Sequence, residues 1–308
     1  MDPLEKAIIA TLSYFDVFDY PLTAVEIWKW LYVSSADGVP VQAAVGDVVG
    51  ALEEREKIRQ RVDFKDGFYF LKGRGETVEK RMDRYRLAER KFHRALRVVS
   101  LLRRMPFVKM IGICNTLAYS NSRREGDIDL LIVTKRRRVW QVRFWVTGFL
   151  KLSNMRPRPG RTEDTICPSF FVDEDHLDLS GLALENDIYL PYWVSQVVPV
   201  YDEGIYRTFI ASNAWIHRAI PNVLPYVPTA RRRRKRVKLW KYFISAACAP
   251  LPEQLFKRYQ LRVMPKRLRE LANRDSRVVV QDYMLKFHDN DRRAYFYDQW
   301  KQRLARSV

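Results

Sequence analysis

Residues 107–134 read FVKMIGICNTLAYSNSRREGDIDLLIVT. An apolar run of strand length, 107–113, opens the stretch. A short polar turn and one helical turn follow at 114–121, and a charged loop, 122–126, leads into a second apolar run. Two aspartates alternate at the head of that run, Asp127-Ile128-Asp129, ahead of Leu130 to Val133. In a strand, residues i and i+2 point to the same face. Asp127 and Asp129 are therefore expected side by side at the start of an otherwise apolar strand. Two carboxylates held that close repel unless a cation lies between them, and oxygen ligands suit a hard divalent ion, Mg2+ or Mn2+. An isolated Asp-x-Asp reads equally well as a solvated turn. What separates the two readings is the whole order of strand, tight turn, small-residue helix start, loop and acidic strand.

That order resembles the nucleotidyltransferase (polymerase-β-like) superfamily. Asn115-Thr116-Leu117-Ala118 stand where that family carries Gly-Ser-Leu-Ala, and Gly126-Asp127-Ile128-Asp129-Leu130 are close to its Ser-Asp-Ile-Asp-Leu. The chain departs from the pattern at Asn115, which replaces the glycine whose missing side chain lets the backbone approach a triphosphate. Thr116 keeps a hydroxyl, and asparagine tolerates unusual backbone angles. The resemblance implies a mixed sheet with flanking helices and transfer of a nucleotidyl group from an NTP to a hydroxyl acceptor. It also implies Mg2+ or Mn2+ on Asp127 and Asp129, with Asn115, Thr116 and Lys135 near the phosphates. A third carboxylate usually sits on the following strand, 165–172. There the mid-strand residues divide into Cys167, Ser169 and Phe171 on one face and Ile166, Pro168 and Phe170 on the other. Asp173, at the strand's end, is the candidate third ligand.

Composition sets the outer bounds. With 308 residues and 47% hydrophobic content the chain supports real cores and two or three domains. Three scattered cysteines, Cys114, Cys167 and Cys248, make neither a disulfide framework nor a structural zinc site. No run approaches the roughly eighteen apolar residues of a membrane span. The opening MDPLEKAII lacks the layout of a signal peptide, so a cytoplasmic protein is expected. A net charge of +19 favours a polyanionic partner: RNA, DNA or an anionic membrane surface.

The expected fold class is α+β in three parts. Residues 1–72 have the order of a winged helix-turn-helix: a helix at 4–15, a second capped by Thr23 with Glu26 three residues on, a third at about 41–56, and a hairpin about Asp66-Gly67. The third helix has no basic residue in its first half, which weakens a duplex-DNA role; Arg59, Arg61 and Lys65 in the wing are the alternative contacts. Residues 73–222 form the nucleotidyltransferase-like part. They comprise a long helix at 76–104, the two strands of the opening stretch, a helix to about 152, the strand 165–172, helices at 185–196 and 204–219, and an edge strand at 197–201. Residues 223–308 read as a basic helical tail with helices at 255–272 and 291–304. It opens on a proline-rich linker and then Arg231, Arg232, Arg233, Arg234, Lys235 and Arg236. Six adjacent cations favour contact with a phosphate backbone, salt-sensitive and sequence-indifferent. The aromatic stretch that follows, LWKYFISAACAPL, is too short to span a bilayer but fits an interface. His93, His176, His217 and His288 read as structural or turn residues.

Two functions from different classes follow. One is a metal-dependent nucleotidyltransferase acting on RNA or, less in keeping with the charge, on a protein hydroxyl. The other is a non-catalytic nucleic-acid-binding protein on a degenerate transferase fold. A membrane-surface adaptor is a third, outlying reading.

Overall fold

Alternating β-branched and aromatic runs build a six-stranded mixed sheet. The computed structural model describes residues 1–34, 42–158, 160–235, 237 and 240–307. Two short strands, β1 (Val62–Lys65) and β2 (Phe68–Leu71), form a separate antiparallel hairpin. The main sheet runs β6-β3-β4-β5-β8-β7, from β3 (Val108–Ile113), β4 (Ile128–Thr134), β5 (Ile166–Asp173), β6 (Val198–Asp202), β7 (Val278–Val280) and β8 (Met284–Phe287). β3 is antiparallel to both β4 and β6, whereas β4 and β5 are parallel. A parallel pair needs a crossover, supplied here by α7 (Val139–Leu152).

Both faces of the sheet are covered. On one lie α5 (Glu76–Leu102), α7 and α11 (Glu253–Arg262), where Phe92, Leu96, Val99, Trp140, Val146 and Phe256 pack against Ile111, Leu130, Ile132 and Phe171. Met110, Leu131, Val133, Phe170 and Val172 face the other side. They meet α1 (Pro3–Asp16), α8 (Tyr189–Ser195), α9 (Ile205–Ser212) and α13 (Arg293–Ser307). Gly112 in β3 permits a close approach on that side: a Cβ there would lie 2.6 Å from Val197 Cγ1.

The N-terminal elements are α1, α2 (Ala24–Lys29), α3 (Val45–Glu54), α4 (Glu56–Arg59) and the hairpin. Asp2 and Thr23 close capping boxes with Glu5 and Glu26, satisfying first-turn N–H groups of α1 and α2. The expected third helix begins at Val45; residues 35–41, including the start given to it from sequence, lie outside the described residues. These helices share a core with the sheet. Tyr14 stacks on Tyr192 at 4.1 Å, Tyr192 Oη donates to the Trp30 carbonyl at 2.8 Å, and Trp300 Nε1 donates to the Ala10 carbonyl at 2.9 Å. An ionic knot adds to this, with Asp16 bonded to Arg74 and Arg303, both at 2.8 Å, and Asp19 to Arg74 at 2.7 Å and Arg84 at 3.0 Å.

The C-terminal region departs from the all-helical expectation. Its helix at 255–272 is two, α11 and α12 (Lys266–Leu271), separated at Pro265, which cannot donate the N–H that a continuous helix requires. Residues 278–287 form the β7–β8 hairpin, and β8 completes the sheet beside β5. The helix read at 185–196 begins only at Tyr189, after a turn in which Asp187 accepts from the Tyr189 and Leu190 N–H groups at 3.1 and 2.9 Å.

Candidate functional site

The chain from β3 to β4 turns through α6 (Asn115–Ala118), and Asn115 enters it with φ +56°, in the left-handed region. Asparagine is among the few residues that adopt this geometry at low cost, which answers the missing glycine. Both ends of the amide are engaged: Nδ2 donates to Asp129 Oδ2 at 2.6 Å, and Oδ1 accepts from Trp193 Nε1 at 2.7 Å and Tyr189 Oη at 3.2 Å. Thr116 is exposed beside it.

The loop leading to Asp127 is held from α5. Lys91 is fully buried, and its ammonium donates to the carbonyls of Arg124, at 3.0 Å, and Gly126, and stands 3.7 Å from Asp164. Burial lowers its pKa. The long basic helix concealed this residue in the sequence, where its period marks it as core-facing but nothing marks the loop it would meet.

Asp127, Asp129 and Cys167 converge: a carboxylate oxygen from each aspartate and the thiol Sγ all lie within 4.8 Å of one another. The strand register explains why. Asp129 pairs with Cys167, but Leu131 pairs with Phe170, so β5 carries one extra residue at Pro168–Ser169. That bulge inverts the alternation and puts Phe170, rather than Phe171, on the Asp129 side, contrary to the face assignment read from sequence.

Asp173 is not part of this group. It pairs with Thr134, on the face of Ile132 and Phe171, five residues or about 16 Å along the strand from Asp129. There it accepts from His176 Nδ1 at 2.6 Å and from the N–H groups of Arg137 and Asp175, both at 3.2 Å, closing the turn after β5. Lys135 also lies apart from the group, exposed just past the far end of β4. Of the residues singled out, the structure brings together Asp127, Asp129 and Asn115, with Thr116 adjoining, and leaves out Asp173 and Lys135. Cys167 takes the third place.

Burial raises the pKa of both aspartates, and for Asp129 the neighbouring Asp127 adds to it. Burial, then the two carboxylates, push the Cys167 thiol well up, so it stays protonated. The two carboxylates are donors that would suit a hard divalent ion, whereas a protonated thiol adds no strong ligand beside them.

A cavity of about 200 Å³ adjoins the group through Asn115. Phe170, Tyr189, Trp193 and Phe296 supply apolar walls, and Lys286, Arg292 and Arg293 supply cations. Phe170 stacks against Trp193 at 5.7 Å and Tyr189 against Phe296 at 5.3 Å. Arg293 is committed to Asp187 and Asp291, each at 2.7 Å. His288 lines the same space, with Nε2 3.2 Å from Ser169 Oγ and Nδ1 unpartnered; burial pushes its pKa down to about 3. It is a wall residue as well as the turn residue read from sequence.

The basic run lies along α5. Arg231, Arg233 and Lys235 are exposed. Arg232 instead pairs with Glu89 and sits 4.0 Å above the Phe92 ring, and Arg234 Nε donates to Ser100 Oγ at 2.8 Å. Arg236 falls outside the described residues. No family model, no curated protein and no solved structure matches the chain.

Proposed function

We propose that the chain is a metal-dependent nucleotidyltransferase that moves an NMP from an NTP to a hydroxyl acceptor, with RNA as the acceptor class. The observation that carries this reading is the half-buried Asp127–Asp129 pair beside an aromatic cavity with cationic walls. Asp127 and Asp129 would hold a divalent ion, which would supply charge neutralisation for a triphosphate and its leaving pyrophosphate. The chain's own residues do the rest. Asn115 orients Asp129, and Lys91 fixes the loop that carries Asp127. Trp193 and Tyr189 offer faces and edges to a planar base, and Lys286 and Arg292 attract the anionic end of the ligand. The net charge of +19 and the exposed Arg231, Arg233 and Lys235 support RNA as acceptor, and we read the N-terminal helices and hairpin as a winged helix able to add contacts to it.

Two observations favour the non-catalytic alternative. The third position holds a thiol in place of a carboxylate, and the Asn115 amide already occupies one oxygen of Asp129. Equilibrium NTP binding separates the two. The transferase reading expects binding that requires Mg2+ or Mn2+ and is lost in Asp127→Asn/Asp129→Asn. Nucleic-acid binding with no NTP binding under either metal supports the alternative.

A further inference from the structure

On the sheet face away from the cavity, α5, α7 and α10 (Trp240–Cys248) leave an open groove of about 630 Å³. Leu101, Met105, Phe144, Phe149, Leu152 and Ile244 line it, with almost no polar surface. The apolar surface continues beyond the groove. Trp240, Ile244 and Cys248 follow one stripe of α10 at i, i+4, i+8, with Trp240 66% exposed and Phe243 beside it 69% exposed. Leu152, at the end of α7, is 89% exposed. Beside the groove wall Tyr259 of α11 meets Phe144 at 5.7 Å, and Leu255 lies one turn from Tyr259, both exposed. A surface this rich in large apolar side chains marks a docking site.

Charge selects the occupant. Arg104, Lys151, Arg258 and Arg262 are exposed around the apolar patch, and Arg103 donates to the Lys235 carbonyl, bringing the basic run alongside. The nearby acids are engaged: Glu253 accepts from the Trp140 and Gln141 N–H groups at 2.6 and 3.1 Å, and Asp282 pairs with Lys257 at 2.7 Å. A second copy of the chain would set these cations against one another. A nucleic acid would find phosphate contacts at the rim but nothing in the groove to meet its polar backbone. An anionic bilayer meets both requirements, taking Trp, Tyr, Phe and Leu to headgroup depth while its phosphates face the Arg and Lys rim. No helix among the described residues is long and apolar enough to cross a membrane, so the contact is with the surface.

We propose that the face formed by α7, α10 and α11 docks on an anionic lipid bilayer, leaving the Asp127–Asp129 cavity pointing away from it. The inference is independent of the transferase reading. The test is flotation of the full chain with vesicles of phosphatidylcholine alone and of phosphatidylcholine with phosphatidylserine. Phe243→Ser and Leu152→Ser change exposed side chains, and unchanged thermal unfolding confirms that they fold. Binding to the phosphatidylserine vesicles is expected, weakened by salt and reduced roughly tenfold by each substitution. Arg258→Glu/Arg262→Glu is expected to lower it as well. The proposal is overturned by absence of flotation with either vesicle. It is equally overturned if flotation is indifferent to Phe243→Ser and Leu152→Ser and merely competed away by RNA, which would make it nonspecific charge. Self-association abolished by the same substitutions would assign the face to a second copy instead.

Discussion

Asn115 Nδ2 lies 2.6 Å from Asp129 Oδ2, so the residue that turns the chain between β3 and β4 also holds the central carboxylate of the site. The two roles are separable by substitution. Asn115→Gly removes the amide but keeps a residue suited to φ +56°, whereas Asn115→Ala removes the amide and strains the turn. Both leave the Trp193 and Tyr189 donors unpaired, and the alanine variant is expected to unfold with about 1 kcal/mol less stability than the glycine variant. Urea titration of the two proteins measures that difference.

Cys167 occupies the place beside Asp129 where a third acid would stand. Cys167→Asp adds a third carboxylate to a half-buried group with no new cation, which is unfavourable when metal is absent. The melting temperature of this variant is expected to fall below that of the wild type in chelator. Mn2+ should raise it by more than it raises the wild type, because the third oxygen adds a ligand. Paired thermal scans with chelator and with Mn2+ check both signs.

Lys91 is a buried cation whose hydrogen bonds end on the loop before Asp127. Lys91→Met keeps the apolar stem and leaves the Arg124 and Gly126 carbonyls unsatisfied, at a cost of about 2–3 kcal/mol. The local signature is faster amide exchange at Glu125 to Asp127, measurable by hydrogen exchange, with metal affinity reduced in parallel.

His288 ties acid stability to the cavity wall. The unfolded chain takes up a proton near the ordinary histidine value of about 6.5, whereas burial lowers the folded value to about 3. Between those two values the unfolded state binds more protons, so folding stability falls as pH drops through this window and is full above it. His288→Gln is expected to flatten that part of the profile. Stability of both proteins between pH 7 and about pH 4 gives the difference, which also removes the contribution of the aspartate pair common to both.

The sheet centre was legible because local pattern and burial agree there. The run from Leu130 to Val133 is apolar, and Asp127 and Asp129 obey the two-residue period of a strand, so their pairing follows from the chain alone. Asp173 falls away from the aspartate pair because a bulge at Pro168 and Ser169 adds a residue and reverses the faces that an unbroken two-residue period predicts. Cys167 drew no notice as a site residue because a thiol has no place in a hard-ion motif. Lys286, His288 and Arg292 reach the cavity through the β7–β8 hairpin, which was read as part of a helical tail. Three- and four-residue strands carry little periodic signal, and only pairing with β5, more than a hundred residues earlier, makes them strands.

The most direct measurement of the central claim is transfer itself. The wild-type chain and Asp127→Asn/Asp129→Asn are each incubated with every α-labelled NTP, Mn2+ or Mg2+, and total cellular RNA. Label covalently joined to RNA by the wild type, and absent with the double variant, is the result expected; label on protein instead would keep the transferase and replace the acceptor. Absence of transfer from any NTP under either metal, by protein that still binds RNA as tightly as the double variant does, contradicts the account.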